Sequence, residues 1–367
     1  MKWSFKIGRW FGIDVFLHFT FLLLLVFLGF VYWRSTDNAG AAVRGVAFMV
    51  ALFACVLLHE FGHALTARRY GIKTRDITLL PIGGVARLER MPDDPWQELL
   101  VALAGPAVNV AIAGGLYVGL LLSGAAPQPG NLGLGGGALV QRLLAVNLFL
   151  VLFNLLPAFP MDGGRVLRAL LATRLGRRRA TAIAATVGQG MAILFGLWGF
   201  MNGNPFLVFI AIFVYLGAQG EAGAVEVQSA LEGLTVQDAM MTRFRTLAST
   251  DPLERAVQEL LAGSQQDFPV VEDGRPIGVL RRNDLVKALA DNRRDATVAD
   301  VMCRECGSVD AWQSLRPVVE TMQGQQCSSL PVLRQGEIVG LLTLENISEM
   351  IMIRSAQRTG STRGAHA

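Results

Sequence analysis

His59-Glu60-Phe61-Gly62-His63 stands at the end of a long uncharged stretch. Ionisable and imidazole side chains at membrane depth are costly and ordinarily serve a pathway, a partner or a metal. Residues four apart on a helix are rotated by about 400°, so His59 and His63 leave from one face. Two imidazoles at that spacing suit Zn²⁺, and Glu60 beside them suits a general base acting on water that the metal activates. The five residues therefore predict zinc-assisted hydrolysis within a bilayer.

The remaining ligand must come from elsewhere in the chain, which has four histidines: His18, His59, His63 and His366. His366 lies in a polar, Gly/Ser/Thr-rich end read as disordered, and His18 reads as a helix-packing or interfacial residue of an apolar run. A carboxylate is then expected, because two histidines and one acid form a known catalytic zinc set. Asp162 is the candidate, in Asn154-Leu155-Leu156-Pro157-Ala158-Phe159-Pro160-Met161-Asp162-Gly163-Gly164. Two prolines and a glycine pair break an apolar segment around this acid. Unwound backbone at membrane depth is tolerated where protein or a water-filled cavity receives it. His59, His63 and Asp162 are thus the expected ligands of one zinc ion per chain, with Glu60 as base.

The elements that must position them follow from hydropathy and charge. The chain has 367 residues, 52% of them hydrophobic, and a mean hydropathy of +0.42, too apolar for an ordinary soluble protein. Residues 1–222 hold 18 Lys/Arg against 10 Asp/Glu, whereas residues 223–367 hold 15 against 19 in an even, soluble-type spread. A span needs about 20 apolar residues, and six runs qualify: 15–33, 41–67, 99–122, 139–156, 180–200 and 205–219. The expected fold is a polytopic α-helical membrane protein with six transmembrane helices and a C-terminal cytosolic α/β pair of repeats. Lys/Arg cluster before the first run and after the second and fourth, which predicts a multi-pass cell-membrane protein with both termini cytoplasmic. The basic residues sit beside spans, so nucleic acid is not an expected partner. Cys55, Cys303, Cys306 and Cys327 suggest no disulfide framework, in keeping with a reducing compartment, and the lone Cys303/Cys306 CxxC reads as packing.

Residues 223–367 contain a repeat at a constant offset of 62. Thr235-Val236-Gln237-Asp238-Ala239-Met240 aligns with Thr297-Val298-Ala299-Asp300-Val301-Met302, Phe268-Pro269-Val270-Val271 with Leu330-Pro331-Val332-Leu333, and Gly278-Val279-Leu280 with Gly340-Leu341-Leu342. Each copy reads as helix, strand, turn, strand and closing helix. The expected organisation is a membrane domain over 1–222, a linker over 223–234, repeats over 235–292 and 297–354, and a disordered tail over 355–367.

HExxH in the second span, with Asn-x-x-Pro-x-x-Pro-x-Asp-Gly after the fourth, resembles the site-2 protease family of intramembrane zinc metalloproteases. The repeats resemble a tandem CBS pair, which one branch of that family carries. The resemblance implies an intramembrane zinc endopeptidase cutting single-pass, membrane-tethered regulatory proteins near the cytosolic face. Gly105-Pro106-Ala107-Val108-Asn109 looks like the family's Gly-Pro-x-x-Asn motif, and residues 81–87 resemble its membrane-dipping loop. Gly83 and Gly84 of that loop would present an extended edge to substrate. Asn109 and Asn154 would support the substrate or the tetrahedral intermediate, while Asn147 and Gln189 read as residues that join helices. The CBS resemblance implies an adenine nucleotide, with Arg281, Asp284 and Thr343 as candidate contacts, and a homodimer through the pair. The alternatives are a transporter- or channel-like protein with a regulatory CBS pair, or a catalytically inactive scaffold of the same fold.

Overall fold

The computed structural model describes residues 3–124, 139–293, 295–325 and 327–363. The chain forms two compact units, Met1–Val225 and Glu226–Ala367.

The first unit opens with a hairpin of β1 (Ser4–Trp10) and β2 (Ile13–His18), turned at Phe11 and Gly12, both at positive φ. Helices α1 (Phe19–Thr36) and α2 (Ala39–Arg69) follow, then a second hairpin of β3 (Thr74–Leu80) and β4 (Gly83–Leu88). The four strands make one mixed sheet in the order β1-β2-β3-β4, with β2 parallel to β3. Ile13, Val15 and Ile77 point to one side of it and pack on Phe61 and Ala64 of α2. Phe61, inside the HExxH motif, thereby seats the histidine-bearing helix on the sheet.

This sheet corrects the expectation that the chain enters the membrane at residue 15. The residues after the Gly12 turn alternate inward and outward as a strand through Val15, and His18 caps α1 by accepting from the Thr20 N–H. His18 is therefore a helix cap and stands apart from the metal-ligand candidates.

Among the described residues, four helices are long and apolar enough to cross a membrane: α2, α3 (Pro95–Leu122), α6 (Arg177–Met201) and α7 (Pro205–Leu231). The other two expected spans are shorter apolar helices, α1 and α4 (Leu139–Asn154). One loses its start to β2, and the other is ended by the proline-rich break. Large apolar side chains such as Phe27, Leu152, Trp198 and Phe206 face outward, as a lipid-exposed bundle requires.

Between α4 and α5 (Asp162–Leu175) the chain is held by tight turns, Leu156 and Ala158 accepting from the backbone N–H groups of Ala158 and Met161 at 2.7 and 3.0 Å. A side chain on Gly163 would overlap the backbone of Leu155 and Leu156, so the Gly pair lets α5 start directly against the break. Asp162 is the first residue of α5, where the helix dipole favours a carboxylate.

In the second unit each repeat is a short strand, a helix, two strands and a helix. The first comprises β5 (Leu247–Ala248), α8 (Leu253–Ala262), β6 (Phe268–Glu272), β7 (Arg275–Leu280) and α9 (Arg282–Ala290). The second comprises β8 (Val309–Asp310), α10 (Leu315–Gln325), β9 (Ser329–Arg334), β10 (Glu337–Thr343) and α11 (Leu344–Arg363). The opening segments are exchanged between copies. Val236 and Gln237 donate to the carbonyls of Gln313 and Ala311, and Val298 and Ala299 donate to those of Asp251 and Ser249. The two sets are related by the same offset of 62.

Two expectations for this unit are revised. Cys306 and Cys327 form a disulfide with a Cα separation of 6.0 Å, and Cys303 Sγ lies 3.4 Å from Cys306 Sγ. Spacing along the chain hid this, because the fold brings the start of β9 back beside the CxxC loop. Residues 355–363, expected to be disordered, continue α11 by propagating a helix already nucleated at Leu344. His366 lies outside the described residues.

The repeated Thr-Val-x-Asp is a capping box. Asp238 accepts from the N–H and hydroxyl of Thr235, and Asp300 does the same for Thr297. These bonds hold the Asp238 carboxyl below its ordinary range, so its stabilisation is present at neutral pH and lost as pH falls through the folded value. Thr235→Ala is expected to cost about 1 kcal/mol of unfolding free energy at pH 7. In thermal melts, the gap between Asp238→Ala and wild type should close towards pH 3.

Candidate metal centre

Two elements bring the ligand candidates together. His59 and His63 leave α2 one turn apart, and Asp162 is delivered from the start of α5. The two Nε2 atoms are 3.1 Å apart, and Asp162 Oδ2 lies 3.1 Å from His59 Nε2 and 3.2 Å from His63 Nε2. All three side chains are buried. They are the one group of three or more potential ligands that converges among the described residues.

The opposite ring nitrogens settle which atoms face the centre. His63 Nδ1 donates to the Val101 carbonyl at 2.7 Å, an oxygen that can only accept. His59 Nδ1 donates to Asn109 Oδ1 at 2.7 Å, Asn109 Nδ2 donates to Asn147 Oδ1 at 3.1 Å, and Asn147 Nδ2 donates to the Leu143 carbonyl at 2.8 Å. That last acceptor fixes the direction of the whole relay. With the rings neutral, as ligation requires, each imidazole spends its single N–H on the protein and aims an Nε2 lone pair at the Asp162 carboxylate. Three electron-rich atoms at such distances repel unless a cation sits among them. Zinc with tetrahedral ligands at about 2.0–2.1 Å places its donors about 3.3 Å apart, so this triangle fits.

Helix α3 presents one face to this centre. Val101, Gly105 and Asn109 recur at helical spacing and touch both imidazoles. A β-carbon on Gly105 would collide with His63 Nε2 and come within 2.6 Å of His59 Nε2. Asn109 is fully buried, with its amide engaged by His59 and Asn147. It orients a histidine, in place of the substrate contact expected of it. Asn147, read as a residue that joins helices, proves to be the second link of that relay.

Glu60, Gly83, Gly84, Asn154 and Arg165 line one cavity of about 360 Å³ with the three ligand candidates. A β-carbon on Gly84 would lie 2.6 Å from Glu60 Cγ, so strand β4 rests directly on the base candidate. Arg165 and Arg168 belong to the Lys/Arg cluster after the fourth apolar run, where charge asymmetry alone singles out neither as a site residue. The signal that could have raised them was their spacing of three and six residues from Asp162 on a 14-residue helix.

Residues 47–133 and 132–196 match Peptidase family M50, and residues 236–291 and 298–353 each match the CBS domain. A zinc metalloprotease of Methanocaldococcus jannaschii is 33% identical over 302 residues, covering 82% of this chain and 83% of its own. The chain belongs to peptidase family M50. A candidate zinc metalloprotease of Synechocystis sp. is 30% identical and covers 97% of each chain. The solved site-2 protease from Methanocaldococcus jannaschii is 37% identical, covers 60% of this chain and 95% of that one, and superposes with a TM-score of 0.45. As an M50 member with a CBS pair, the protein is a zinc metalloendopeptidase of the site-2 protease type, which sets the transporter alternative aside.

The nucleotide candidates fall in two places. Arg281 and Asp284 pair with each other at 2.5 Å in the first repeat. Thr343 bonds Asn346 and lines a separate cleft of about 360 Å³ with Gln265, Asp267, Ser328 and Glu345. Asp267 accepts there from the hydroxyls of Ser328 and Ser329 at 2.6 and 2.8 Å. The three candidates do not form a common site.

Gly105→Ala should weaken zinc binding at least tenfold, the scale on which disturbed ligand support acts. Chelator competition on the purified protein measures this, and unchanged affinity would contradict the placement of α3 against the imidazoles.

Proposed function

We propose that the chain is an intramembrane endopeptidase that cuts a transmembrane segment of single-pass, membrane-tethered regulatory proteins near the cytosolic face. The observation that supports this best is one shared cavity. It joins the His59, His63 and Asp162 donors, the Glu60 carboxylate and the edge strand β4.

A substrate transmembrane helix makes all its backbone bonds internally, so it must unwind before its peptide bond can be attacked. β4 is the last strand of its sheet, and an extended segment added there would regain backbone partners through Gly83 and Gly84. His59, His63 and Asp162 would hold the zinc ion, which when bound supplies a Lewis acid that polarises the scissile carbonyl and acidifies water. Glu60 accepts the proton of the attacking water and returns it to the leaving amine. Asn154, on the wall of the same cavity, offers an amide N–H to the substrate backbone or to the developing oxyanion.

The topology that accompanies this reading has six membrane helices, α1 and α4 included, with both termini in the cytoplasm, as the Lys/Arg asymmetry supports. Residues 1–222 form the protease domain, 223–234 the linker, and 235–292 and 297–354 the repeats, paired in a homodimer. The cleft at Thr343 would take an adenine nucleotide that tunes access to the protease.

Wild-type protein should carry one zinc per chain and His59→Ala should carry little or none. Glu60→Gln should keep its zinc while losing about 10²–10⁴ in cleavage rate, and it should co-purify with uncut membrane proteins. Wild type free of zinc would overturn the assignment of the ligands. For the second unit, AMP or ATP at about 100 times its Kd should add about 2.7 kcal/mol of stability, read as a raised Tm. Thr343→Val should abolish the rise, and a flat response in wild type would remove the nucleotide from the reading.

A further inference from the structure

Arg168 has no exposed surface, yet it carries a full positive charge in the membrane unit. Its Nε donates to Glu98 Oε1 at 2.7 Å and its Nη2 lies 2.5 Å from the same oxygen, while its Nη1 pairs with Glu221 Oε1. The guanidinium also stacks over the Phe159 ring, 5.1 Å from its centroid. Such a fork, held on two sides and one face, uses the planar, multi-donor geometry that distinguishes arginine from lysine.

Two of its partners, Glu98 and Phe159, belong to elements that shape the ligand triangle, while Glu221 lies on α7. Arg168 itself is on α5, the helix that begins with Asp162. Phe159 belongs to the break that delivers Asp162. Glu98, only 2% exposed, sits one turn before Val101 on α3. Along that helix Glu98, Val101, Gly105 and Asn109 recur at intervals of three and four residues, so they share one face. Val101 and Asn109 are the acceptors that aim His63 and His59. A single guanidinium thus ties the helix that supplies the carboxylate to the helix that orients both imidazoles.

We propose that Arg168 is a positioning residue of the metal centre, fixing the distance between Asp162 and the two histidines by clamping α5 to α3 through Glu98. This rests on the assignment of His59, His63 and Asp162 as ligands. Removing the clamp leaves the donors chemically intact and lets their triangle loosen. Zinc affinity and ligand-field geometry should therefore respond before the fold does.

The test compares full-length wild type, Arg168→Lys, Glu98→Gln and, as a control, Arg174→Lys, an exposed residue of the same helix. Zinc affinity is read by chelator competition, coordination geometry by the visible spectrum of the Co²⁺-substituted protein, and fold by thermal melting. Arg168→Lys is expected to weaken zinc binding about 10–100-fold and to alter the Co²⁺ bands, with a cooperative melt retained. Glu98→Gln should move both readings in the same direction, and Arg174→Lys should move neither. If Arg168→Lys does not fold, Glu98→Gln decides by the same readings. Wild-type affinity and spectrum in a folded variant would overturn the proposal, and so would failure of both variants to fold, which would reduce the clamp to a fold determinant. A wild type that binds no zinc would instead sink the ligand assignment, a result distinguishable from either.

Discussion

The membrane unit depends on two imidazole lone pairs aimed at a carboxylate. That arrangement is unfavourable alone, and it is enforced from behind by acceptors that cannot reverse their roles. The carbonyls of Val101 and Leu143 anchor the two ends of this enforcement, one directly and one through Asn147 and Asn109. An isolated HExxH helix could rotate either ring and relieve the crowding. Packed against α3 it cannot, because the bonds that would have to break are buried and would leave unpaired donors.

The remaining architecture brings two further backbones against this point. Strand β4 reaches Glu60 through Gly84, and the Pro-rich break delivers Asp162 through Gly163 and Gly164. A sheet and an unwound turn are both costly at membrane depth unless their polar groups find partners within the protein. The sheet answers by pairing β1 with β2, β2 with β3 and β3 with β4, leaving the outer edge of β4 open, and the break answers with tight turns against α5.

Much of the site was legible in the residues, because its chemistry is local in sequence. HExxH encodes a shared helix face, and the Pro/Gly pattern around Asp162 encodes a break. The span ends were also close for α2 and α3, where apolar runs begin and stop at charged or capping residues such as Asp94. What escaped depends on tertiary contact. The Gly-Pro-x-x-Asn motif places Asn109 near the site without saying what it bonds, and only the position of His59 shows that. The end of strand β2 hid in a run whose apolar content suited either a strand or a span. Arg168 and Glu98 lie 70 residues apart, and no periodicity links them. The Cys306–Cys327 bond was obscured for the same reason.

The position of β4 at the end of its sheet carries a consequence for selectivity. A strand edge recognises main-chain amides, which every polypeptide has, and is nearly blind to side-chain identity. On the reading proposed above, sequence preference would arise before docking, from the work of opening a helix in hydrocarbon, where each unpaired backbone group costs several kcal/mol. Segments already weakened by glycine, proline or asparagine would pass this sieve, and uniform leucine helices would be held back. The protein would then sort its substrates by mechanical fragility.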